Sequence, residues 1–132
     1  MTPLFHVLKN APKPVAPYSH AVEAGGFVFI TGQMATDPDN DDLPIPAGIE
    51  AQTTKVMSNL SRVLKGLELG LEHVKSVWVL LTDFERDYAD MNVLHARYFP
   101  EDRRLARTVA GVAGLARGDI IEIDMIAVHP RQ

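Results

Sequence analysis

The sequence predicts an α+β fold in two layers: two helices covering one face of a mixed sheet of five or six strands. Three observations predict it. Candidate elements run in the order β, β, α, β, α, β, β. The two helical segments each follow a strand-like run and carry an apolar stripe. The last strand alternates strictly, with Ile121, Ile123, Met125 and Ala127 on one face and Glu122 and Asp124 sharing the other with Ile120, Ile126 and Val128. Two helices cover only one face of such a sheet. The other face, and the apolar character of Val74–Leu81 on both sides, point to a second copy of the chain as its cover, so a homo-oligomer is expected.

The elements follow in order. Residues 1–17 are expected to be irregular, because Pro12, Pro14 and Pro17 stand in the APKPVAPYSH segment. A strand is expected near 18–24 and a second at about Phe27 to Gln33, in GGFVFITGQMA. The stretch 36–46, TDPDNDDLPIP, holds four aspartates and three prolines and reads as a solvated, turn-rich loop. From Gly48 to about Leu69, Ile49, Thr53, Val56, Leu60, Val63, Leu64 and Leu67 recur at helical spacing, with Gly70 as the stop. Val74 to Thr82 is short and rich in β-branched and bulky residues, hence a strand; Trp78 within it is a core or interface anchor. DFERDYADMNVLHARYF forms the second helix, with Phe84, Tyr88, Met91, Leu94, His95 and Phe99 near one face and Pro100 ending it. Arg107–Val112 and Ile120–Val128 are read as the two strands of a hairpin around the Gly114–Gly118 turn.

Composition sets limits on function. At 132 residues the chain is expected to be a single domain, 1–132. A net charge of −4 with scattered lysines argues against a nucleic-acid partner. The chain has no cysteine, which removes disulfides, thiolate nucleophiles and cysteine-based zinc sites. His6, His20, His73, His95 and His129 show no ligand spacing, so no metal is expected. His20 is read either as bordering a cleft or as a loop surface residue. No glycine-rich phosphate loop and no GxSxG elbow are present. Neither a signal peptide nor a membrane span is evident, so a cytoplasmic location is expected.

Two residues stand out chemically. Arg107 and Glu122, fifteen positions apart, each interrupt an apolar strand, and such charges are costly without a partner. On adjacent strands of one hairpin, one would bind a carboxylate and the other handle a proton. The competing reading is a salt bridge from Arg107 to Glu122 or Asp124 that merely closes the hairpin.

The segments APKPVAPYSHAV, FITGQMA and ARTVAGVAGLARGDIIEIDMIAV, with the helix–strand–helix between them, resemble the RidA/YjgF family of reactive-intermediate deaminases from about Pro12 to Val128. The resemblance implies a chorismate-mutase-like fold, a mixed six-stranded sheet with two helices on one face, assembled as a homotrimer with clefts between subunits. It implies hydrolysis of enamines or imines such as 2-aminoacrylate to 2-keto acids and ammonia, on a small carboxylate-bearing substrate, with no cofactor. Carried over position by position, Arg107 falls on the arginine that clamps the substrate carboxylate, and Glu122 on the glutamate that directs water. Tyr18 falls on a tyrosine lining the pocket; a packing residue with a wet hydroxyl is its plainer reading. Thr31 falls on a Ser or Thr beside the ligand, and Gly32 offers a backbone N–H there; without the resemblance, Thr31 is a strand residue. Asn92 falls on a pocket-edge asparagine, or is simply a helix surface residue. Leu105, Thr108, Val109 and His95 depart from the family pattern. Val109 stands where a cysteine is frequent and makes the pocket lining drier. His95 stands where many members have Tyr. Two alternatives accompany this reading: a pathway-specific deaminase acting on an aminomuconate-like intermediate, and a non-enzymatic ligand-binding trimer.

Overall fold

A computed structural model describes residues 2–130. Six strands form one sheet, β1 (Leu4–His6), β2 (Ala21–Ala24), β3 (Phe27–Gln33), β4 (Val74–Leu81), β5 (Ala106–Gly111) and β6 (Ile121–Val128), in the order β1-β2-β3-β6-β4-β5. All neighbours are antiparallel except β4 and β5. Two helices, α1 (Ile49–Gly66) and α2 (Phe84–Ala96), complete the second layer.

Local chemistry accounts for the elements. Gly25 and Gly26, both with positive φ (58° and 85°), supply the two-residue turn between β2 and β3 that strand twist favours. The apolar stripe of α1 is buried as its spacing predicts, and Met57 joins it. The helix ends earlier than the sequence suggests. Glu68 takes the left-handed conformation (φ 61°) and the Leu69 amide reaches back to the Leu64 carbonyl, so Gly70 lies beyond the stop. Asp83 caps α2 by accepting from the Arg86 amide. The 36–46 loop is anchored at its root. Buried Asn59 donates to the Met34 and Thr36 carbonyls (2.9 and 2.8 Å), and Asp119 accepts from the Ala35 amide at 3.0 Å.

Three expectations are corrected. The N-terminal stretch is not wholly irregular, because Leu4–His6 pairs with β2 and makes the sixth strand. His20 neither borders a cleft nor lies on the surface. It is fully buried, its Nδ1 accepting from the Leu8 amide (2.7 Å) and its Nε2 donating to the Pro12 carbonyl (2.6 Å), and so it fastens the proline-rich segment. The last two strands do not form a hairpin: β4 lies between β5 and β6 and pairs with both. Of the two readings of Trp78, core or interface anchor, its 47% exposure removes the first.

The core lies between the helices and one sheet face, where Val28, Val77, Val79, Leu81, Ile121, Ile123 and Met125 meet Val56, Met57, Leu60, Val63 and Met91. Among the described residues nothing covers the opposite face. Cross-strand partners Phe5, Val22, Phe29 and Ile126 run across it, as do Trp78 and Asp124, and Leu80 and Glu122. Phe5, Phe27, Phe29 and Trp78 are all exposed there. A monomer rarely leaves so continuous an apolar surface in water.

Candidate functional site

The insertion of β4 between β5 and β6 decides the geometry. Arg107 on β5 is level with Val77, and Glu122 on β6 is level with Leu80. Val77 and Leu80 are three residues apart in an unbroken stretch of strand, so they point to opposite faces. Arg107 therefore shares the helix-covered face and Glu122 the uncovered one. The two do not converge within a protomer, and the expected hairpin pair is corrected on that point.

Arg107 makes no bridge to Glu122 or Asp124. Its Nη2 donates to Asn92 Oδ1 at 2.5 Å, and its Nη1 meets His95 Nδ1 at 3.4 Å. Asn92 and His95 are one turn apart on α2, which places both over β5. Asn92 is thus a partner of the arginine rather than an unattached surface residue. His95 is buried, tilted against Phe99 at 5.1 Å, and among the described residues its Nε2 has no hydrogen-bond partner. Burial and then the positive charges of Arg107 and Arg104 push its pKa down to about 4. A neutral ring with its proton on Nε2 leaves Nδ1 free to accept from the guanidinium. Two acceptors, neither of them an acid, thus orient Arg107 while leaving its charge uncompensated. Among the described residues no carboxylate lies within ion-pair distance of it. A cleft of about 200 Å³ opens beside it, lined by Asn92, His95, Phe99, Arg104, Leu105 and Arg107. Val109, two residues on and level with Val79, packs against the core on the same face.

A second cluster sits on the other side. Glu122 lies against Gly32, where an added Cβ would collide with the carboxylate and lie 2.9 Å from Cδ. Burial, followed by the neighbouring Asp124 and Asp119 charges, raises the Glu122 pKa above the usual carboxylate value. Burial likewise raises that of Asp124, against a hydrogen bond from the Trp78 backbone. Next to Gly32, the Thr31 hydroxyl donates to the Ser19 carbonyl at 2.6 Å and its amide donates to the His20 carbonyl. Those bonds fix the segment that carries Tyr18, whose hydroxyl accepts from the Val15 amide (3.3 Å) and whose side chain stays partly exposed. The site residues thus fall into two groups: Arg107, Asn92 and Val109 on one face, and Tyr18, Thr31, Gly32 and Glu122 about the other.

One residue at this site, Arg104, was not singled out from sequence, and His95 was noted there as a departure from the family pattern, not as a partner of Arg107. Arg104 carried no signal, because its place beside Arg107 depends on how the 97–105 connection turns back from α2 to β5.

Similarities to known proteins agree with this fold. Residues 8–129 match the family described as Endoribonuclease L-PSP. A RutC family protein of Synechocystis is 38% identical over 92% of this chain and 92% of its own length. The 2-iminobutanoate/2-iminopropanoate deaminase of Mus musculus is 34% identical over 91% of this chain and 87% of its own. The crystal structure of E. coli TdcF with bound serine superposes with a TM-score of 0.86 at 25% identity, covering 96% of this chain and 99% of that one. With the profile match spanning nearly every element described above, the chain belongs to the Endoribonuclease L-PSP family, which is the RidA/YjgF family.

Proposed function

We propose that the chain is a cofactor-independent deaminase, hydrolysing 2-imino acids and their enamine tautomers to 2-keto acids and ammonia in clefts between the subunits of a cytoplasmic homotrimer. The observation that carries the reading is the placement of Arg107 and Glu122 on opposite faces of one sheet. A carboxylate anchor and a proton-transfer group so placed serve one ligand only if a second copy brings its own Glu122 face to Arg107. The uncovered apolar face that presents Glu122 supplies the driving force for such an assembly. The likeness to the mouse deaminase supports the reaction class.

In this reading Arg107 holds the substrate carboxylate through its planar fork of donors. Asn92 and His95 hold the fork in place, and Val109 keeps the lining dry. Tyr18 flanks the substrate, and Thr31 and Gly32 bound the opposite wall. The enamine first tautomerises to the imine. Glu122 then takes a proton from water as the oxygen bonds to the carbon of the protonated imine (C=NH2+), giving a neutral carbinolamine. It returns the proton to nitrogen; the C–N bond breaks, the hydroxyl proton is lost, and a keto acid and ammonia remain. A carboxyl group with a raised pKa suits both directions of transfer. The reaction proceeds unaided in water, so positioning and one proton relay are enough to accelerate it.

The test is keto acid release from a freshly generated 2-imino acid. Wild-type protein should accelerate it, and Arg107→Ala should abolish most of the acceleration. No acceleration by the wild type, or an indifferent Arg107→Ala, rejects the proposal. The serine found in TdcF favours one other reading, a ligand-binding trimer without turnover. Ligand binding that needs Arg107 with no hydrolysis of any imine would establish that instead.

A further inference from the structure

The cleft beside Arg107 contains more positive charge than one substrate carboxylate requires. Arg104 lines it together with Arg107, and Arg104 is exposed, donating through Nη1 to the Ala96 carbonyl at 3.3 Å. Neither arginine has an acid within ion-pair distance among the described residues. His95, the third polar group on that side, is held neutral and adds no compensating charge. The two α-carbons are three residues apart and so separated by at most about 11 Å. A neighbouring pocket of about 320 Å³ shares Phe99, Arg104 and Leu105 with this one and adds Lys75 and Arg103 against a single acid, Glu72. Basic side chains therefore outnumber acidic ones in the lining of the two pockets, which share the apolar residues Phe99 and Leu105. Two uncompensated guanidinium forks over one small cleft fit a ligand with two carboxylates better than a ligand with one.

We propose that Arg104 is a specificity-determining residue that reads a second carboxylate, making 2-imino dicarboxylates the preferred substrate class. The first carboxylate lies on Arg107 and the carbon chain crosses Leu105 and Phe99 to reach Arg104. This rests on the deaminase reading and adds the substrate class to it.

The test has two arms. In the kinetic arm, the imines of a dicarboxylic and a monocarboxylic amino acid are generated in situ, and kcat/KM is compared for wild type, Arg104→Gln and Arg104→Lys. The ratio of dicarboxylic to monocarboxylic kcat/KM should favour the dicarboxylic imine in the wild type. It should fall about ten- to hundredfold in Arg104→Gln, the range of a charge-assisted hydrogen bond. Arg104→Lys should retain part of the preference. In the binding arm, calorimetry compares 2-oxoglutarate with 2-oxobutanoate on the same proteins. Wild type should bind 2-oxoglutarate at least about tenfold more tightly, and Arg104→Gln should lose that preference. No preference in the wild type, or one that survives Arg104→Gln, overturns the proposal. Failure to hydrolyse any imine rejects the deaminase reading alone, because the binding arm still decides whether Arg104 reads a second carboxylate.

Discussion

Replacing Gly32 by alanine separates the position of Glu122 from its chemistry. The backbone at Gly32 is outside the left-handed region, so alanine is accepted there without torsional strain. The three nearest neighbours of the added Cβ all belong to Glu122, with Cδ at 2.9 Å and Cγ at 3.0 Å. None of the three is a main-chain atom, so the carboxylate is expected to swing away while the strand stays. Holding Glu122 off its preferred rotamer costs about 0.5–1.5 kcal/mol. Losing the unfolded-state freedom of glycine returns about 0.4–1 kcal/mol. Stability should thus change by less than about 1 kcal/mol. Catalysis should suffer far more, because a displacement of about 1 Å in a reacting group costs on the order of a hundredfold in rate. Thermal unfolding and keto acid release on the same preparation measure the two effects. A variant that folds like wild type yet loses about two orders of magnitude in kcat bears out the role of Glu122. Full activity in Gly32→Ala would refute it, and a collapse of the fold would show that the glycine serves packing instead.

Three further outcomes are expected. Glu122→Gln should abolish proton transfer and stabilise the protein at neutral pH. The folded pKa of Glu122 lies above its unfolded value, so the native state binds more protons and stability falls as pH rises through that window. The stability advantage of Glu122→Gln should therefore disappear in acid; an advantage that persists below the ordinary glutamate pKa contradicts the assignment. Asn92→Ala frees one side of the Arg107 fork and should raise KM by about tenfold, the worth of one hydrogen bond to a charged group, with a smaller effect on kcat. Equal KM in variant and wild type would show that His95 alone positions the arginine. Trp78→Lys places a charge in the middle of the uncovered sheet face and should convert the assembly to monomers by sedimentation, with loss of activity. An unchanged molecular mass would move the subunit interface elsewhere.

The alternating and helical patterns were reliable wherever one residue's environment repeats along the chain. The stripe of α1, the buried face of β6 and the extent of β3 follow from periodicity alone, because side chains at period 2 or 3.6 must face the same solvent or core. β1 was missed because three residues carry too little pattern and its pairing partner lies fifteen or more residues away. His20 looked like a loop residue because its two backbone partners, Leu8 and Pro12, come near it only when the proline-rich segment folds back.

By itself the sequence determined the two-layer α+β architecture, the apolar second sheet face and the identity of Arg107 and Glu122 as charges out of place in apolar strands. Tertiary structure decided their relation. Strand order is set by which hydrophobic faces pack together, not by which strands are consecutive. The insertion of β4 between β5 and β6 therefore separated two residues that appeared to share a hairpin. It gave the arginine to Asn92 and His95 of α2 and the glutamate to Gly32 of β3, on opposite faces of one sheet.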